Sequence, residues 1–279
     1  MNNLECVGFL QWALPRMDLH WPGFRKVRGV VCKRVDRRRR ALGLATLAAY
    51  RDYLGANPDE WASLRALCSI PISRFYRDQG VFDALEHAVL PALAGAAAER
   101  PGRTLNCWSA GCASGEEPYT LAILWRLRLA ERHPGLAFRV LATDVDEGLL
   151  GRAAIACYSW SSLREVPAEW REQGFERRDG THCVRQRFRT MVAFARQDLR
   201  EEVPDERFDL VLCRNVALTY FEPELQRRVV RRIAGALHVG GALVVGIHES
   251  LPPSIDELVP WPGTRAVFRR LPVAPDAEI

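Results

Sequence analysis

Short apolar strand candidates alternate with helix candidates over residues 104–247, and this alternation constrains the fold more than any other feature of the chain. The strand candidates are residues 104–109, 138–143, 191–195, 208–213 and 242–247. The helix candidates are residues 116–131, 147–156 and 223–237. Strands that are apolar on both faces and alternate with helices are typical of a mostly parallel sheet with helices on each side. We therefore predict an α/β, Rossmann-like, doubly wound sheet.

The residues before this region carry a different pattern. Residues 27–42 place valines at helical spacing beside a run of basic residues, and a second helix is expected to begin near Asn57. Asn57 is the predicted cap, and Glu60 stands at the capping-box position. Residues 73–98 form a further helical candidate. We predict an N-terminal helical domain with its linker over residues 1–90 and a sheet domain over 91–279.

One stretch of the sheet domain breaks the alternation of strands and helices. It contains a polar helix candidate at residues 167–173 and then the dipeptide Asp179-Gly180 between short strand candidates. Asp-Gly between strands is a strong hairpin signal. We therefore predict a small β insertion at about residues 158–190.

Positive charge is concentrated in the first part of the chain. Residues 1–79 contain 14 basic and 7 acidic residues, a net charge of +7, although the whole chain carries only +5. A basic N-terminal module suggests an acidic partner. The sheet domain is net negative and has no basic, aromatic stripe, so we do not expect a nucleic-acid partner. Lys26 and Lys33 are the only lysines, which excludes a lysine nucleophile or phosphate-binding lysine after residue 33.

The cysteines and the hydropathy pattern suggest a cytoplasmic location. None of the eight cysteines forms a CxxC pair, and a chain of 279 residues does not need a disulfide framework. Cys157 is expected to act as a small hydrophobic residue. A zinc site at His182-Cys183 would lack a second ligand pair, so we expect no metal. We see no signal peptide and no integral membrane segment, and we expect a cytoplasmic monomer.

The first predicted strand ends in a glycine-bearing turn that leads into a helix. Gly111 and Gly115 have Gly-x3-Gly spacing, which differs from the G-x-G-x-x-G of dinucleotide-binding turns. Glu116 and Glu117 open the helix and would repel a phosphate near the turn. S-adenosylmethionine carries an amino group, a sulfonium and a ribose diol, so it suits these carboxylates. Alternatively, the two glutamates only complement the helix dipole.

Two other predicted strands also end in polar residues. Asp144 follows the second strand, where a carboxylate can accept hydrogen bonds from a ribose diol, and Asp146 is expected to cap the next helix. Arg214 and Asn215 follow a buried strand and are expected at the same edge of the sheet. Open parallel sheets bind their ligands at this edge.

Together these motifs closely resemble the CheR family, the chemotaxis-receptor protein-glutamate methyltransferases. The resemblance extends from about Val27 to about Arg270. It is carried by the blocks Ser73–Asp78, Trp108–Cys112, Gly115–Tyr119, Ala142–Asp144, Gln197–Leu199 and Cys213–Val216.

The resemblance implies an S-adenosylmethionine site and a set of residues that form it. The implied cofactor-binding residues are Ser73, Arg77, Ala110, Gly111, Gly115, Glu116, Glu117, Asp144, Asp198, Leu199, Arg214 and Asn215. Arg77 and Tyr220 would lie nearest the transferred methyl group and are the predicted catalytic residues. The family usually has two residues between Asn-Val and Tyr-Phe, whereas three stand here, Ala217 to Thr219.

The function expected from these features is methylation of glutamate carboxylates on a glutamate-rich, receptor-like helix in chemotaxis signalling, with S-adenosylhomocysteine as the product. An acidic tethering peptide could add to the β insertion as an extra strand. Two alternatives remain open at this point. One is the same chemistry on another protein or a small molecule, and the other is a non-catalytic sensor or scaffold that binds S-adenosylmethionine.

Overall fold

The structure is a computed structural model that describes residues 3–272, so residues 1–2 and 273–279 of the two predicted domains lie outside the described residues. The chain divides into two compact units, residues 1–71 with 219–226 and residues 72–218 with 227–279. The sequence placed its domain boundary after residue 90, and that division stays a prediction. Each unit is described separately below.

The first unit is helical. Its helices are α1 (Asn3–Ala13), α2 (Trp21–Phe24), α3 (Arg28–Ala41), α4 (Leu47–Ala56) and α5 (Glu60–Cys68). Val31 and Val35 of α3 are fully buried, whereas Val30 is half exposed. The predicted basic amphipathic helix is therefore present, with a narrower apolar face than the valine spacing suggested.

A disulfide between Cys6 and Cys32 joins α1 to α3. The pair was not expected from the sequence, and the expectation of a chain without a disulfide framework is wrong for this unit. The two cysteines are 26 residues apart and meet only because α1 packs beside α3. Linear spacing contains no information about such a pairing.

The predicted capping residues of α5 have other roles. Asn57 donates its side-chain N–H to the Tyr53 carbonyl (2.9 Å) instead of capping α5. The Glu60 carboxylate is buried and accepts hydrogen bonds from Arg38 (2.7 and 2.9 Å) and from the Tyr50 hydroxyl (2.8 Å). Its pKa is lowered by the hydrogen bond from Arg38. Glu60 therefore ties α3, α4 and α5 together.

Residues 219–226 belong to this helical unit although the sequence placed them in the sheet domain. Leu19 pairs with Phe221 in an antiparallel bridge, and the His20 N–H donates to the Tyr220 carbonyl (2.7 Å). The Tyr220 ring packs on Phe24, with 5.0 Å between ring centroids. Backbone pairing thus attaches this late segment to the start of the chain.

The second unit contains all the strands of the described residues. They are β1 (Thr104–Ala110), β2 (Ala137–Asp144), β3 (Cys157–Tyr158), β4 (Phe175–Arg178), β5 (Thr181–Val184), β6 (Val192–Arg196), β7 (Phe208–Leu212), β8 (Leu237–Val244), β9 (Leu258–Pro260) and β10 (Val267–Arg270).

The main sheet has the order β6-β2-β1-β7-β8-β10-β9. Strands β6, β2, β1, β7 and β8 are parallel, and β10 is antiparallel to β8 and β9. The order reverses beside β1, because β2 lies on one side of it and β7 on the other. The predicted Rossmann-like sheet is confirmed, and β1 ends at the switch point where such sheets bind ligands.

The remaining helices are α6 (Gln79–Ala84), α7 (Leu90–Ala98), α8 (Glu116–Leu124), α9 (Glu147–Ile155), α10 (Ala168–Gly174), α11 (Gln186–Arg189), α12 (Ala217–Tyr220), which ends in the first unit, and α13 (Pro223–Ala236), whose first turn belongs to it. Helices α7, α8 and α9 pack against the main sheet. A continuous helical run over Gln79–Ala98 is long and apolar enough to cross a membrane. Half of its apolar window is buried inside the protein, and core helices commonly meet the same criteria.

The predicted β insertion is a separate sheet of three strands in the order β3-β5-β4. Asp179 and Gly180 have φ values of 46° and 77°, the left-handed conformation that a two-residue hairpin turn requires. Cys157 and Cys183 stand opposite each other on β3 and β5 and form a disulfide. The prediction that Cys157 acts as a small hydrophobic residue is therefore wrong, and the thiol of Cys183 is not available for zinc.

Candidate active site

The turn between β1 and α8 has the conformation that its glycines allow. Gly111 and Gly115 have φ values of 77° and 91°, and Ala113 between them has a φ of 49°. A Cβ added to Gly111 would lie 2.7 Å from a Val216 methyl, and one added to Gly115 would lie 2.9 Å from the Ala153 Cβ. Glycine is therefore needed at both positions, because the φ values are positive and because there is no space for a Cβ atom.

Both carboxylates at the start of α8 have partners within the protein. Glu116 is buried and accepts hydrogen bonds from the Ser114 hydroxyl (3.0 and 3.1 Å). Glu117 accepts hydrogen bonds from the Ser109 hydroxyl (2.8 Å) and from Arg214 (3.1 Å). The two residues do more than complement the helix dipole, since Glu117 connects the tips of β1 and β7.

Asp144 lies at the end of β2 and is connected to the glycine turn. Its carboxylate accepts hydrogen bonds from the Ala113 N–H (2.9 Å) and the Asp146 N–H (3.0 Å). Burial raises the pKa of Asp144, and the two backbone hydrogen bonds oppose this shift. Asp146 accepts a hydrogen bond from the Leu149 N–H (3.0 Å), so its predicted role as the cap of α9 is confirmed.

Arg214 is a buried charged residue at this edge of the sheet, with 3% of its side chain exposed. It forms ion pairs with Asp78 (2.6 Å) and Glu117 (3.1 Å) and donates to the Arg77 carbonyl (2.9 Å). Its Nε atom is buried and has no hydrogen-bond partner among the described residues. Arg214 therefore holds three segments of the chain together and retains one donor.

The segment that contains Ser73 and Arg77 is not helical, contrary to the sequence prediction, because the helix begins only at Gln79. Tyr76 and Asp78 both have left-handed backbone conformations, with φ values of 58° and 61°. The Tyr76 N–H donates to the Thr120 hydroxyl (3.1 Å), and the Arg77 guanidinium donates to the Ile72 carbonyl (2.9 Å). Arg77 is partly exposed.

The turn after β7 is held by Glu249, a residue to which the sequence analysis assigned no role. Asn215 has a φ of 56°, and its N–H donates to the Glu249 carboxylate (2.9 Å). The same carboxylate oxygen accepts the Gly246 N–H (2.7 Å), and a Cβ on Gly246 would lie 2.9 Å from the Asn215 amide oxygen. The spacing Gly246-x2-Glu249 was the available signal for this contact.

The end of β6 supplies the remaining predicted residues. Leu199 is buried, and the Asp198 carboxylate pairs with Arg200 two residues later. The Gln197 N–H donates to the Asp144 carbonyl (3.0 Å). The Gln197 side-chain oxygen is buried with no hydrogen-bond partner within the described part of the chain.

The structure brings most of the predicted site residues to one region of the second unit. Those from Gly111 to Asn215 lie at or just after the carboxyl ends of β1, β2, β6 and β7, with Ala110 buried at the tip of β1. Arg77 is connected to them through the hydrogen bond from Arg214 to its carbonyl, whereas the placement of Ser73 at the site stays a prediction. Tyr220 is the exception, because it belongs to the first unit. The joint catalytic role of Arg77 and Tyr220 stays a prediction.

The chemistry of this edge fits S-adenosylmethionine. Carboxylates at β2 and α8 suit a ribose diol and a cationic group, and the glycine turn has no room for further side-chain atoms. The Arg214 Nε and the Gln197 side-chain oxygen are buried polar atoms that a bound ligand could satisfy.

Comparison with known proteins agrees with this geometry. Residues 72–266 match the family described as CheR methyltransferase, SAM binding domain. The chain belongs to the CheR methyltransferase family. The protein is thus an S-adenosylmethionine-dependent methyltransferase of the CheR chemotaxis type, as the sequence motifs predicted.

Several proteins are similar in sequence to this CheR chain. A chemotaxis protein methyltransferase of Listeria monocytogenes is 35% identical over 193 residues, 69% of each chain. A chemotaxis protein methyltransferase of Salmonella typhimurium is 32% identical over 239 residues, 82% of this chain and 78% of the relative. A 104.1 kDa uncharacterised protein of Rhodobacter capsulatus is 38% identical over 225 residues, which are 80% of this chain and only 23% of that protein.

Solved methyltransferase structures also match the CheR chain. One is the N-methyltransferase NodS from Bradyrhizobium japonicum, with a TM-score of 0.34, 19% identity and coverage of 61% of this chain and 63% of that one.

Proposed function

We propose that this CheR-type methyltransferase transfers a methyl group to glutamate side-chain carboxylates of a receptor-like protein. The observation that carries the proposal is Arg77, a partly exposed guanidinium beside the candidate cofactor site. Its carbonyl is bonded to Arg214, which in turn pairs with Glu117 at the start of α8. An arginine in this position can bind an anionic acceptor close to the cofactor.

The acceptor chemistry needs little from the protein besides orientation. A glutamate side chain has a pKa near ~4.3, so at neutral pH it is already a nucleophilic anion and needs no general base. S-adenosylmethionine supplies an activated methyl group on its sulfonium. In this proposal Asp144 accepts hydrogen bonds from the ribose diol, and Glu117 attracts the amino group. Arg77 orients the acceptor carboxylate for in-line attack.

A basic surface on the helical unit supports an acidic acceptor. Lys33, Arg37 and Arg40 are exposed and follow one face of α3. Arg38 and Arg39 contribute little to it, because Arg38 pairs with the buried Glu60 and Arg39, which is buried, pairs with Asp36 (2.7 Å). Arg40 also pairs with Asp36 (2.9 Å), but 68% of its side chain is exposed. The proposed docking surface is therefore Lys33, Arg37 and Arg40, and its partner is a glutamate-rich helix.

The test of this function measures cofactor binding and the type of product. The protein is expected to bind S-adenosylhomocysteine in calorimetry and to form base-labile methyl esters on receptor helices from labelled S-adenosylmethionine. Asp144→Ala should abolish cofactor binding. Asp146→Ala removes a neighbouring carboxylate that caps α9, so it should lower stability but retain binding. A wild-type protein that does not bind the cofactor would contradict the proposal.

A different acceptor is the second candidate. The Rhodobacter relative is far longer than this chain, which matches only 23% of it, so related domains also occur in larger proteins of other architecture. Base-stable methylation of a different protein or a small molecule would favour this candidate. Tight cofactor binding without any turnover would instead indicate a sensor or scaffold. The acidic tethering peptide, the monomeric state and the cytoplasmic location stay predictions.

A further inference from the structure

The glycine turn of the candidate cofactor site is held from two sides. On the side of the main sheet, the Gly111 and Cys112 N–H groups donate to the Thr143 carbonyl (2.8 and 2.9 Å), and Ala113 donates to Asp144. On the other side, the Tyr158 hydroxyl donates to the Ser114 carbonyl (2.7 Å). Tyr158 belongs to β3 of the small sheet, so a different substructure supplies this second support.

Tyr158 is itself rigidly placed. It is 6% exposed, and its ring packs edge-on against Phe75 with 4.8 Å between centroids. It stands opposite His182 in the β3–β5 pairing, and the preceding residue, Cys157, is bonded to Cys183. Burial raises the pKa of Tyr158, so the phenol remains protonated and available as a donor.

The fit between Tyr158 and the turn is close. A Cβ added to Gly115 would lie 3.1 Å from the Tyr158 hydroxyl oxygen, so this oxygen lies against the backbone where α8 begins. The turn also contains one strained residue, Ala113, which has a φ of 49°. Left-handed conformations of non-glycine residues persist only where the surroundings hold them.

The segment that follows β3 contacts the second segment of the site. The Phe75 N–H donates to the Ser162 carbonyl (3.0 Å), and Arg74 pairs with Glu165 (3.1 Å). Residues 157–165 therefore contact both the glycine turn and the segment that contains Arg77. These contacts lie within the second unit.

We infer that Tyr158 is a positioning residue for the cofactor, and that the small sheet fixes the glycine turn through its hydroxyl. This inference rests on the proposed function, because it concerns the same cofactor site. Tyr158 would touch the turn and not the cofactor, so it acts through Ser114 and Gly115. Its loss should weaken cofactor binding and leave the chemistry at saturating cofactor nearly unchanged.

The matched variants are Tyr158→Phe and Tyr119→Phe. Each removes one buried hydroxyl that donates to a backbone carbonyl, since Tyr119 donates to Ala153 (3.1 Å) in α9. Both should lower the thermal midpoint to a similar extent. Only Tyr158→Phe should raise the dissociation constant of S-adenosylhomocysteine, by about 3- to 10-fold, the effect of one hydrogen bond. In turnover assays KM for S-adenosylmethionine should rise and kcat should change little.

A second variant tests the same support from the disulfide side. Replacing both Cys157 and Cys183 by alanine should loosen β3 and weaken S-adenosylhomocysteine binding in the same direction. Equal affinities for wild type and Tyr158→Phe, or equal losses in Tyr158→Phe and Tyr119→Phe, would overturn the inference. Failure of the wild-type protein to bind S-adenosylhomocysteine would instead overturn the proposed function.

Discussion

At the scale of single residues, four non-glycine residues around the candidate site have left-handed backbone conformations. Tyr76, Asp78, Ala113 and Asn215 all have φ values between 49° and 61°, and all four lie in the turns that surround it. Each such conformation costs about 1 kcal/mol or more and needs compensating contacts. Arg214 and Glu249 supply charged partners to Asp78 and Asn215. Ion pairs and hydrogen bonds therefore keep the site in a shape that the backbone alone would not prefer.

Asp144 should make cofactor binding dependent on pH. Its carboxylate form accepts hydrogen bonds, and burial raises its pKa, so it takes up a proton at a higher pH than an ordinary aspartate. Affinity for S-adenosylhomocysteine should therefore fall as the pH drops through this raised pKa. Because the folded protein binds this proton more tightly than the unfolded chain does, protonation of Asp144 stabilises the ligand-free folded protein. Its contribution to the free energy of unfolding therefore rises as the pH drops, whereas the cofactor affinity falls.

Calorimetry between about pH 4 and pH 8 checks this dependence. Asp144→Asn is the matched variant, because it keeps the shape and cannot titrate. It should bind weakly, with a flatter pH profile than the wild-type protein. Identical profiles for the two proteins would show that Asp144 does not control binding.

At the scale of elements, the structure separates two kinds of arginine on α3. Arg37 and Arg40 are exposed, whereas Arg38 is tied to the buried Glu60. We expect Arg37→Glu with Arg40→Glu to raise KM for an acidic acceptor by about tenfold at low ionic strength, with less effect at high salt. The affinity for S-adenosylhomocysteine should not change.

The control for this charge reversal is Arg132→Glu with Arg139→Glu, which makes the same change of charge at exposed positions of the sheet unit. Arg38→Glu should behave differently from both pairs. It leaves two carboxylates facing each other beside Tyr50, so it should lower the free energy of unfolding by about 3 kcal/mol. Equal effects of the two exposed pairs on KM would rule out a specific docking surface on α3.

At the scale of the whole molecule, each compact unit contains its own disulfide. Replacing Cys6 and Cys32 by alanine should lower the free energy of unfolding by about 3 kcal/mol, because the cross-link restricts the unfolded chain. Cofactor affinity should remain unchanged, in contrast to the variant that lacks Cys157 and Cys183. Denaturant unfolding under non-reducing conditions measures the loss. An unchanged midpoint would contradict the expected role of this disulfide.

The sheet could be predicted from the sequence because its signal is local and repeated. Strands apolar on both faces alternate with helices, and Asp179-Gly180 fixes the hairpin of the small sheet. The glycine turn and Asp144 were also found, because each follows directly after a predicted strand. Both of these signals lie within a few residues of the element that they identify.

The contacts that could not be predicted join residues far apart in the chain. Cys6 meets Cys32, Tyr158 meets Ser114, and Glu249 meets Asn215 only after the fold has formed. Glu60 illustrates a competing interaction. Its position in the sequence suits a capping box, but its carboxylate accepts hydrogen bonds from Arg38 and Tyr50 instead. The placement of Tyr220 in the helical unit has the same origin, namely backbone pairing with His20.

The attachment of residues 219–226 to the helical unit has a consequence for synthesis. A chain emerging from the ribosome presents Leu19 and His20 about 200 residues before Phe221 and Tyr220, their backbone partners, become available. The sheet unit is interrupted by the same segment, since it resumes at Arg227. The N-terminal helices therefore cannot form these backbone contacts until most of the sheet has been translated, and part of their surface stays exposed until then. Nascent chains arrested before residue 219 should be more sensitive to protease in these helices than chains released after residue 226.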